Sequence, residues 1–461
     1  MISATTLSQL AADNHWQLIG HDVAFEKVIL DSRSDSTDGI FVALVGEHFD
    51  SHQFIAQAIE NGAVAVVVNR AVAFNIPQLI VDDTRYALGV IARENRRKST
   101  ATVIAITGSA GKTTTKEMLS SILKQAYLPS QILATKGNFN NEIGLPLTLL
   151  DIESEHQVVV VEMGAAKPGD IAYLMQFAEP DFSILLNAKA VHLEGFGDCD
   201  HVAKTKFEIV SALTENKTSA INIDTPYSSQ WLAEAKHLGV NVVGYSADNK
   251  NADVFADDII ASINSCHFKL HIAANHYAVS LKVAGVHNVS NALAAAAIAN
   301  AADISAESIV LGLNSFNAVA GRMQAVTGMK QSSIIDDSYN ANPDAMRAAI
   351  DVLCSAEDRK IFVMGQMGEL GKDELAYHRQ IGQYAKEQGV DLFYACGELC
   401  RTAVEAFGQR GLFFEEQSAL INSLSEEIQY GDTVLVKGSR SAKMDVVVAA
   451  IVKNNNILGD A

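Results

Sequence analysis

The sequence predicts an α/β protein with three domains. Its 461 residues exceed the size of one ordinary domain, and 48% of them are hydrophobic, which is enough to fill several cores. Short apolar runs, typical of buried parallel strands, alternate with stretches of helical spacing in three successive segments. A glycine-rich loop between such a run and a helix opens the second segment. We therefore expect a small N-terminal α/β domain, a central P-loop domain with a mostly parallel sheet, and a C-terminal Rossmann-like domain.

The three predicted domains span residues 1–100, 101–320 and 321–461. The first contains a helical stretch at 51–61 and ends in a basic cluster at 93–98, which we interpret as the solvated end of a helix before a linker. The predicted strands are 28–30, 40–45, 63–68, 102–106, 158–161, 183–186, 333–335, 360–364, 392–395 and 433–436, and alternating residues at 266–272 and 277–283 predict an antiparallel addition to the central sheet.

Composition limits the function. The formal net charge is −19, from 35 basic and 54 acidic residues. Because a nucleic-acid-binding protein needs a basic surface, we expect no nucleic-acid partner. The first residues lack a basic stretch followed by an apolar core, and no apolar run reaches the roughly 18 residues of a membrane helix. We expect a soluble, cytoplasmic protein without membrane insertion.

The five cysteines are odd in number and scattered along the chain. This usage is typical of proteins in a reducing cytoplasm. Cys396 and Cys400 have the spacing of half a zinc site, but the sequence has no second pair. Buried thiols are therefore the favoured interpretation of these two residues.

The most informative stretch is residues 105–114, with the sequence AITGSAGKTT. An apolar strand, a glycine loop and a helix surround an anion with backbone N–H groups and the positive end of the helix. Lys112 can reach the β- and γ-phosphates of a nucleotide, and the Thr113 hydroxyl can bind Mg²⁺. Ile106 stands where the usual phosphate loop has its first glycine, so a plain turn is the alternative from these residues alone.

Other polar residues follow predicted strands of the central domain. Glu162 ends a buried strand at the sheet edge where ligands bind, so it is a candidate Mg²⁺ ligand, the alternative being a carboxylate in solvent. His192 lies on the loop after the next strand, and a lone histidine is more often structural than a ligand. On the helix that follows, we interpret both Lys204 and Lys206 as surface lysines.

Two amide-rich stretches allow two interpretations each. Asn138 and Asn141 lie in a run of turn-forming residues that either carries local side-chain caps or forms a polar platform near the phosphates. Asn288 and Asn291 share a face near the start of an alanine-rich helix. Capping explains one of these two residues, and recognition of a base edge would use both.

Two polar runs in the third domain, residues 336–343 and 436–443, follow predicted strands. We therefore expect a site at the carboxyl edge of that sheet. The second run contains two lysines and one arginine that could clamp an anion. The N-terminal turn of a helix is the alternative interpretation of each run.

Taken together, these stretches resemble those of the Mur ligase family, the ATP-dependent amide ligases of peptidoglycan precursor synthesis. The resemblance covers nearly the whole chain and is carried by residues 107–113, 138–146, 336–343, 365–371 and 437–441. It implies an N-terminal UDP-sugar-binding domain, a central ATP-binding domain and a C-terminal Rossmann-like domain. The shortened phosphate loop is similar to the family's own form.

Within the family, the stretches are most similar to those of members that add D-alanyl-D-alanine. The Asp-Asn-Pro-Arg stretch typical of members that add a diamino acid is absent from the sequence. Residues 31–33 and 41–44 resemble the uridine-binding part of both kinds of member, so they do not separate them.

The resemblance also implies roles for single residues. It implies that Glu162, His192 and Lys206 hold Mg²⁺ with Thr113, and that Lys206, rather than Lys204, is carbamylated and holds a second ion. The implied catalytic residues are Lys112, Lys206, His192 and Arg322. The implied nucleotide contacts are Thr107, Gly108, Ser109, Ala110, Gly111, Lys112, Thr113 and Thr114 for phosphate, Asn288 and Asn291 for adenine, Arg322 for phosphate and Asp337 for ribose, and the implied substrate contacts are Ser32, Arg33, Asn138, Asn141, Tyr339, Asn340 and Asn342.

The implied reaction joins UDP-N-acetylmuramoyl-tripeptide to D-Ala-D-Ala, with ATP and Mg²⁺, expected as two ions, as cofactors. ATP turns the tripeptide carboxylate into an acyl phosphate, the dipeptide amine attacks, and ADP and phosphate result. We expect a monomer with small-molecule substrates. The alternatives are a phosphate-loop ATPase that drives a partner, a nucleotide-binding module, and a Mur ligase that adds a diamino acid.

Overall fold

The computed structural model describes residues 1–46 and 49–452. By their contacts, these residues form two compact units. The first unit comprises residues 1–106, 127–165 and 169–182, and the second comprises residues 107–126, 166–168 and those from 183 onward. The predicted domain boundaries at 100/101 and 320/321 differ from these divisions and stay predictions. Residues 453–461 of the third predicted domain lie outside the described residues.

The N-terminal part is a small α/β sheet structure. Its elements are β1 (Thr5–Thr6), α1 (Leu7–Asn14), β2 (Gln17–Ile19), β3 (Ala24–Phe25), β4 (Lys27–Ile29), β5 (Gly39–Val42), α2 (Ile55–Glu60), β6 (Ala65–Val68), β7 (Gln78–Ile80) and α3 (Thr84–Arg97). Strands β4 to β7 are parallel neighbours, and β2 pairs antiparallel with β7. Phe41, Val66 and Val68 of the sheet form a core with Ile55 and Ala58 of α2, because β5 and β6 are apolar without interruption.

The middle part divides between the two units. Its elements are β8 (Thr102–Thr107), α4 (Lys112–Leu123), β9 (Ile132–Ala134), α5 (Gly144–Leu150), β10 (Val158–Glu162), α6 (Asp170–Ala178), β11 (Phe182–Leu185), α7 (Leu193–Phe196), α8 (Cys199–Ser211), β12 (Thr218–Asn222), α9 (Ser228–His237), β13 (Asn241–Ser246), β14 (Val254–Ala261), β15 (Cys266–Ile272), β16 (Asn275–Leu281), α10 (Val286–Ala301) and α11 (Ala306–Ser315). In the first unit, β9, β10 and β8 are parallel neighbours. In the second, β12 to β14 are parallel, whereas β15 and β16 are antiparallel, which confirms the predicted addition.

The C-terminal part, within the second unit, has a six-stranded sheet in the order β17-β18-β22-β19-β20-β21. Its elements are β17 (Gln324–Thr327), β18 (Ser333–Asp337), α12 (Pro343–Cys354), β19 (Lys360–Gly365), α13 (Glu374–Glu387), β20 (Leu392–Cys396), α14 (Arg401–Phe407), β21 (Gly411–Phe414), α15 (Gln417–Glu427), β22 (Thr433–Lys437) and α16 (Asp445–Ile451). All neighbours are parallel except β17, which pairs antiparallel with β18. The predicted parallel sheet with helical crossovers is confirmed, and β17 and β21 are additional strands.

The basic cluster at 93–98 is not the solvated helix end that we expected. Arg96, near the end of α3, is 9% exposed and donates to the carbonyls of Ala178 at 3.2 Å and Glu179 at 3.3 Å. Its Nη2 also lies 3.1 Å from the Asp181 carboxylate. Burial lowers the pKa of Arg96, whereas the nearby carboxylates of Asp181 and Glu179 act to raise it. The guanidinium therefore fixes the end of α3 to the end of α6.

All five cysteines are free thiols. Cys400 is buried, as predicted, but Cys396 is only partly buried and lies 3.7 Å from the Glu415 carbonyl. In the parts of the chain that the structure describes, no helix has both the length and the apolar character to cross a membrane.

Candidate active site

The phosphate loop belongs to the second unit and leads into α4, which begins at Lys112. Gly111 has a φ of +87°, and a Cβ there would lie 2.4 Å from Asn291 Oδ1, so only glycine fits. The Lys112 Nζ donates to the Gly108 carbonyl at 2.8 Å. The loop is therefore folded tightly ahead of the first turn of α4, as an anion-binding loop requires.

Asn187 braces this loop, a role that sequence reasoning missed. The Ala110 N–H donates to Asn187 Oδ1 at 3.0 Å, and Asn187 Nδ2 donates to the Ala110 carbonyl at 3.1 Å. Ser109 N–H donates to the Asn187 carbonyl at 3.1 Å, and Lys189 N–H donates to Ser109 Oγ at 2.9 Å. The available signal was an amide directly after a buried strand, here β11.

Arg322 reaches the same loop from the start of the C-terminal part. Its Nη2 donates to Thr113 Oγ1 at 3.0 Å, and its Cζ lies 4.2 Å from the centroid of the Tyr339 ring. Gly321, with a φ of +71°, brings the backbone close to Tyr339. The structure thus brings Thr113 together with Arg322 and Tyr339, which lie at least 209 residues later in the sequence.

His192 lies beside several charged groups of the second unit. It has a left-handed backbone with a φ of 49° at the start of α7, and its Nδ1 forms an ion pair with Glu369. Burial, Lys112 and Lys206 lower the pKa of His192, whereas Glu369 raises it. The structure therefore places Lys112 and Lys206, both predicted to be catalytic, close enough to His192 to lower its pKa. Glu369 lies in the 365–371 stretch, but no role was predicted for it.

The expectation of a surface position for Lys206 is wrong. Lys206 is 1% exposed, because α8 buries Ala203, Phe207 and Val210 on the same side. Lys204, two residues earlier, is exposed, as expected. Helical spacing alone did not separate these two residues, because α8 has buried positions on more than one face.

Glu162 lies in the first unit, at the end of β10 and opposite Ile106 of β8. It is 1% exposed, so its interpretation as a carboxylate in solvent is wrong. Its backbone N–H donates to Thr135 Oγ1 at 3.0 Å, and Met163 N–H donates to the Ile106 carbonyl at 2.8 Å. The carboxylate is thus held at the carboxyl edge of this parallel strand group.

Three other predicted residues of the first unit, Asn141, Ser32 and Arg33, form side-chain hydrogen bonds within that unit. Asn141 Oδ1 accepts from the N–H groups of Ile143 at 3.2 Å and Gly144 at 2.9 Å, as the interpretation of a local cap requires. Asn138 is exposed on the same stretch. Ser32 is buried and its Oγ donates to Gln57 Oε1 at 2.7 Å, whereas Arg33 is exposed and pairs with Asp31.

Asn288 and Asn291 pair with each other inside the N-terminal turns of α10. Asn291 Nδ2 donates to Asn288 Oδ1 at 3.0 Å, and Asn288 Nδ2 donates to the Ala284 carbonyl at 2.7 Å. Both side chains are buried. The residue that caps α10 is Gly285, without a side-chain hydrogen bond, so neither asparagine is the N-cap.

The two polar runs of the C-terminal part meet at adjacent strands, since Asp337 lies opposite Lys437 in the β18–β22 register. Lys437 is 2% exposed, and its Nζ lies 2.5 Å from Asp337 Oδ2 and 2.9 Å from the Asn340 carbonyl. Asp337 Oδ1 accepts from Met323 N–H at 3.1 Å. Asn342 is the N-cap of α12, as the alternative interpretation of this run proposed.

Comparison with known proteins matches the middle and C-terminal parts of this chain to domains of one enzyme family. Residues 106–299 match the Mur ligase middle domain, and residues 321–440 match the family described as Mur ligase, glutamate ligase domain. The UDP-N-acetylmuramoyl-tripeptide–D-alanyl-D-alanine ligase of Escherichia coli is 39% identical over 457 residues, which are 98% of this chain and 99% of that protein. The chain belongs to the Mur ligase family.

Solved structures of this Mur ligase family have the same fold. A crystal structure of MurF from Acinetobacter baumannii matches with a TM-score of 0.89 at 34% identity, covering 97% of this chain and 98% of that one. MurF from Thermotoga maritima, solved in complex with ADP, matches with a TM-score of 0.83 at 28% identity, covering 92% and 96%. The chain is therefore an ATP-dependent Mur ligase of peptidoglycan precursor synthesis, with the family's three-domain α/β architecture.

Proposed function

We propose that this Mur ligase joins D-Ala-D-Ala to UDP-N-acetylmuramoyl-tripeptide while ATP is converted to ADP and phosphate. The observation that carries this proposal is the match over nearly the full length of both chains to the Escherichia coli ligase of that name. Tyr339, which lies in one of the stretches that resemble this branch of the family, contacts Arg322, which in turn binds Thr113 of the phosphate loop. We further propose that the enzyme is a cytoplasmic monomer.

The chemistry requires activation of a carboxylate, because an amine does not displace hydroxide from it at neutral pH. ATP phosphorylates the tripeptide carboxylate to an acyl phosphate, and the dipeptide amine then forms the amide as phosphate leaves. Several anionic oxygens must come together in the first step. Lys112 and Arg322 would neutralise part of this charge, while the backbone of residues 107–114 would hold the phosphates. Both cations lie at the loop itself.

We propose that Mg²⁺, the ion that the family implies, binds at the start of α4. Mg²⁺ prefers oxygen ligands, and the Thr113 hydroxyl at the start of α4 is such a group. Glu162 and His192 are the further ligands that we propose, as the resemblance implies. When bound, Mg²⁺ would supply neutralising charge for the phosphate oxygens. Arg322 would keep the Thr113 hydroxyl in place through its 3.0 Å hydrogen bond.

We also propose that Lys206 is carbamylated and that the carbamate holds a second Mg²⁺. Two observations support this: Lys206 is 1% exposed, and it lies within electrostatic reach of His192 together with Lys112. Burial disfavours a charged amine, and only the neutral amine reacts with CO₂. The carbamate would replace one of the two cations that act on His192 with an anion.

We propose the remaining nucleotide and substrate contacts from the family resemblance. Several of these residues already form hydrogen bonds or ion pairs that a ligand would have to replace or share. Adenine contacts from Asn288 and Asn291 would exchange their mutual hydrogen bond for bonds to the base. A ribose contact from Asp337 would share a carboxylate that Lys437 already binds. Ser32, Arg33, Asn138, Asn141, Tyr339, Asn340 and Asn342 are proposed substrate contacts, although Asn342 also serves as a helix cap.

A coupled phosphate-release assay tests the proposed reaction. The enzyme should release little phosphate until ATP, the tripeptide nucleotide and D-Ala-D-Ala are all present, and mass spectrometry should detect the pentapeptide product. Free meso-diaminopimelate or lysine should not replace the dipeptide. Release that is independent of the acceptor would favour an ATPase, and product formed with a diamino acid would place the chain in another branch of the family.

A further inference from the structure

One aromatic ring in the C-terminal part contacts two arginines. The Tyr339 ring centroid lies 4.2 Å from Arg322 Cζ and 5.5 Å from Arg440 Cζ. Stacking on a ring orients a guanidinium while leaving its N–H donors available at the edge. Arg322 directs one such donor to Thr113 of the phosphate loop. Because both guanidinium groups contact the same ring, Arg440 lies near Arg322, the arginine at the phosphate loop.

Arg440 is suited to bind an anion from solvent. It begins the short turn Arg440–Ala442 after β22, and its side chain is 69% exposed. Its carboxylate neighbour, Asp445, is 3.9 Å away and is itself exposed, so this pair is weak. Lys437, the other cation at the end of β22, is buried against Asp337. Arg440 is therefore the more accessible cation of these two.

The two arginines are close enough together for one dipeptide to reach both. Their Cζ atoms can be no farther apart than the sum of their distances to the shared centroid. An extended dipeptide spans roughly 7 Å from amine to carboxylate. A dipeptide whose amine reaches the acyl phosphate beside Arg322 can place its carboxylate near Arg440.

We propose that Arg440 binds the carboxylate of the acceptor dipeptide. This inference rests on the proposed ligation of D-Ala-D-Ala. Arginine forms two parallel hydrogen bonds with a carboxylate, and loss of such a pair lowers binding by about 30-fold or more. Tyr339 acts in this proposal as a positioning residue for both arginines.

The test combines a change in the enzyme with a change in the acceptor. Wild-type enzyme should use D-Ala-D-Ala at least about 30-fold better, by kcat/KM, than D-alanyl-D-alaninamide, whose terminus is uncharged. Arg440→Ala should raise the KM for D-Ala-D-Ala by a similar factor, leave the KM for ATP unchanged, and use acid and amide equally. Arg440→Lys should restore part of the preference, and Tyr339→Phe, which keeps the ring, should retain more of it than Tyr339→Leu.

Arg401 offers a matched control, because its Cζ lies 4.1 Å from the Phe413 ring and its side chain is partly exposed. Arg401→Ala should keep the wild-type preference for the acid. If Arg440→Ala still prefers the acid as strongly as wild type does, the assignment of Arg440 is wrong and the proposed reaction stands. If wild-type enzyme ligates neither acceptor, the proposed reaction itself fails.

Discussion

The side-chain amide of Asn187 pairs with the peptide group of Ala110 through two hydrogen bonds of 3.0 and 3.1 Å. These paired bonds resemble the backbone bonds between neighbouring strands of a sheet, but here a side-chain amide supplies one of the two partners. The phosphate loop therefore takes its shape from the loop after β11 as well as from its own glycines.

We expect Asn187→Ala to weaken ADP binding by about 10-fold, because two hydrogen bonds that order the loop are lost. Isothermal titration with ADP measures the effect, while the KM for the tripeptide nucleotide should stay unchanged. Asn241→Ala is a matched control, since Asn241 Nδ2 donates to a backbone carbonyl at 3.0 Å elsewhere in the second unit. Equal ADP affinity in wild type and Asn187→Ala would show that the brace is dispensable.

Lys112→Ala should lower ligation by about 100-fold or more, because a charge-assisted phosphate contact is lost in the transition state. Single-turnover product formation measures this loss. The fold should remain, since the bond from Lys112 to Gly108 lies within one loop. Lys124→Ala, at an exposed position just after α4, serves as the control. A folded Lys112→Ala enzyme with near-normal turnover would remove this lysine from the mechanism.

Lys206→Ala should be nearly inactive, and a small carboxylate such as acetate should restore part of the activity by replacing the carbamate. Lys204→Ala should lose far less, since Lys204 is exposed on the same helix. Carbon-13 NMR after incubation with labelled bicarbonate gives an independent measurement. A carbamate signal should occur in wild type and Lys204→Ala but not in Lys206→Ala. Full activity of Lys206→Ala in CO₂-depleted buffer would exclude a catalytic carbamate.

Arg96→Ala should lower the free energy of unfolding by about 2 kcal/mol or more, because it leaves buried carbonyls and Asp181 without their cation. Arg97→Ala should cost about 0.5 kcal/mol, since its pair with Glu179 is largely exposed. Urea denaturation of both variants measures the difference. Equal destabilisation would contradict the structural role assigned to Arg96.

His287 should make stability depend on pH. Burial, Lys189 and Lys437 lower its pKa from 6.5 to about 4. Above pH 6.5 the imidazole is neutral in both the folded and the unfolded chain, so it has no effect there. As the pH falls from 6.5 toward 4, only the unfolded chain gains the proton, and stability is lost by up to about 3 kcal/mol.

Urea denaturation across this pH range should therefore give a flatter stability profile for His287→Gln than for wild type. His15→Gln, at an exposed residue after α1, should keep the wild-type profile. A His287→Gln profile parallel to that of wild type would mean that other groups cause the acid sensitivity.

Some strands of the parallel sheets were predictable because their apolar runs are continuous. Prediction found β10, β19 and β22 within a residue or two, since strands buried on both faces have no polar interruption. It missed β1 to β3, β7, β9 and β12 to β14, which are short or carry polar residues, and it missed β17 and β21, which lie at the two edges of the C-terminal sheet. Edge strands are half-exposed and short, so their composition resembles that of loops.

The candidate site was less predictable, because burial of charged residues depends on tertiary packing. No local pattern shows that Lys206 is buried and Lys204 is exposed. The bond between Arg322 and Thr113 joins positions that only the fold brings together. The phosphate loop was predictable since its residues are contiguous, and the family resemblance supplied roles that spacing alone did not.

The hydrogen bond from Lys112 to Gly108 has a kinetic consequence. The loop is ordered by its own lysine before a nucleotide binds. A bound nucleotide therefore replaces the Lys112–Gly108 hydrogen bond with a bond to phosphate and does not have to order a mobile segment. The entropy of ordering is lost when the chain folds, before any ligand arrives. Association of nucleotides with the loop should then be rapid and similar for ATP and ADP. Differences in their affinity should arise mainly from how slowly each one leaves.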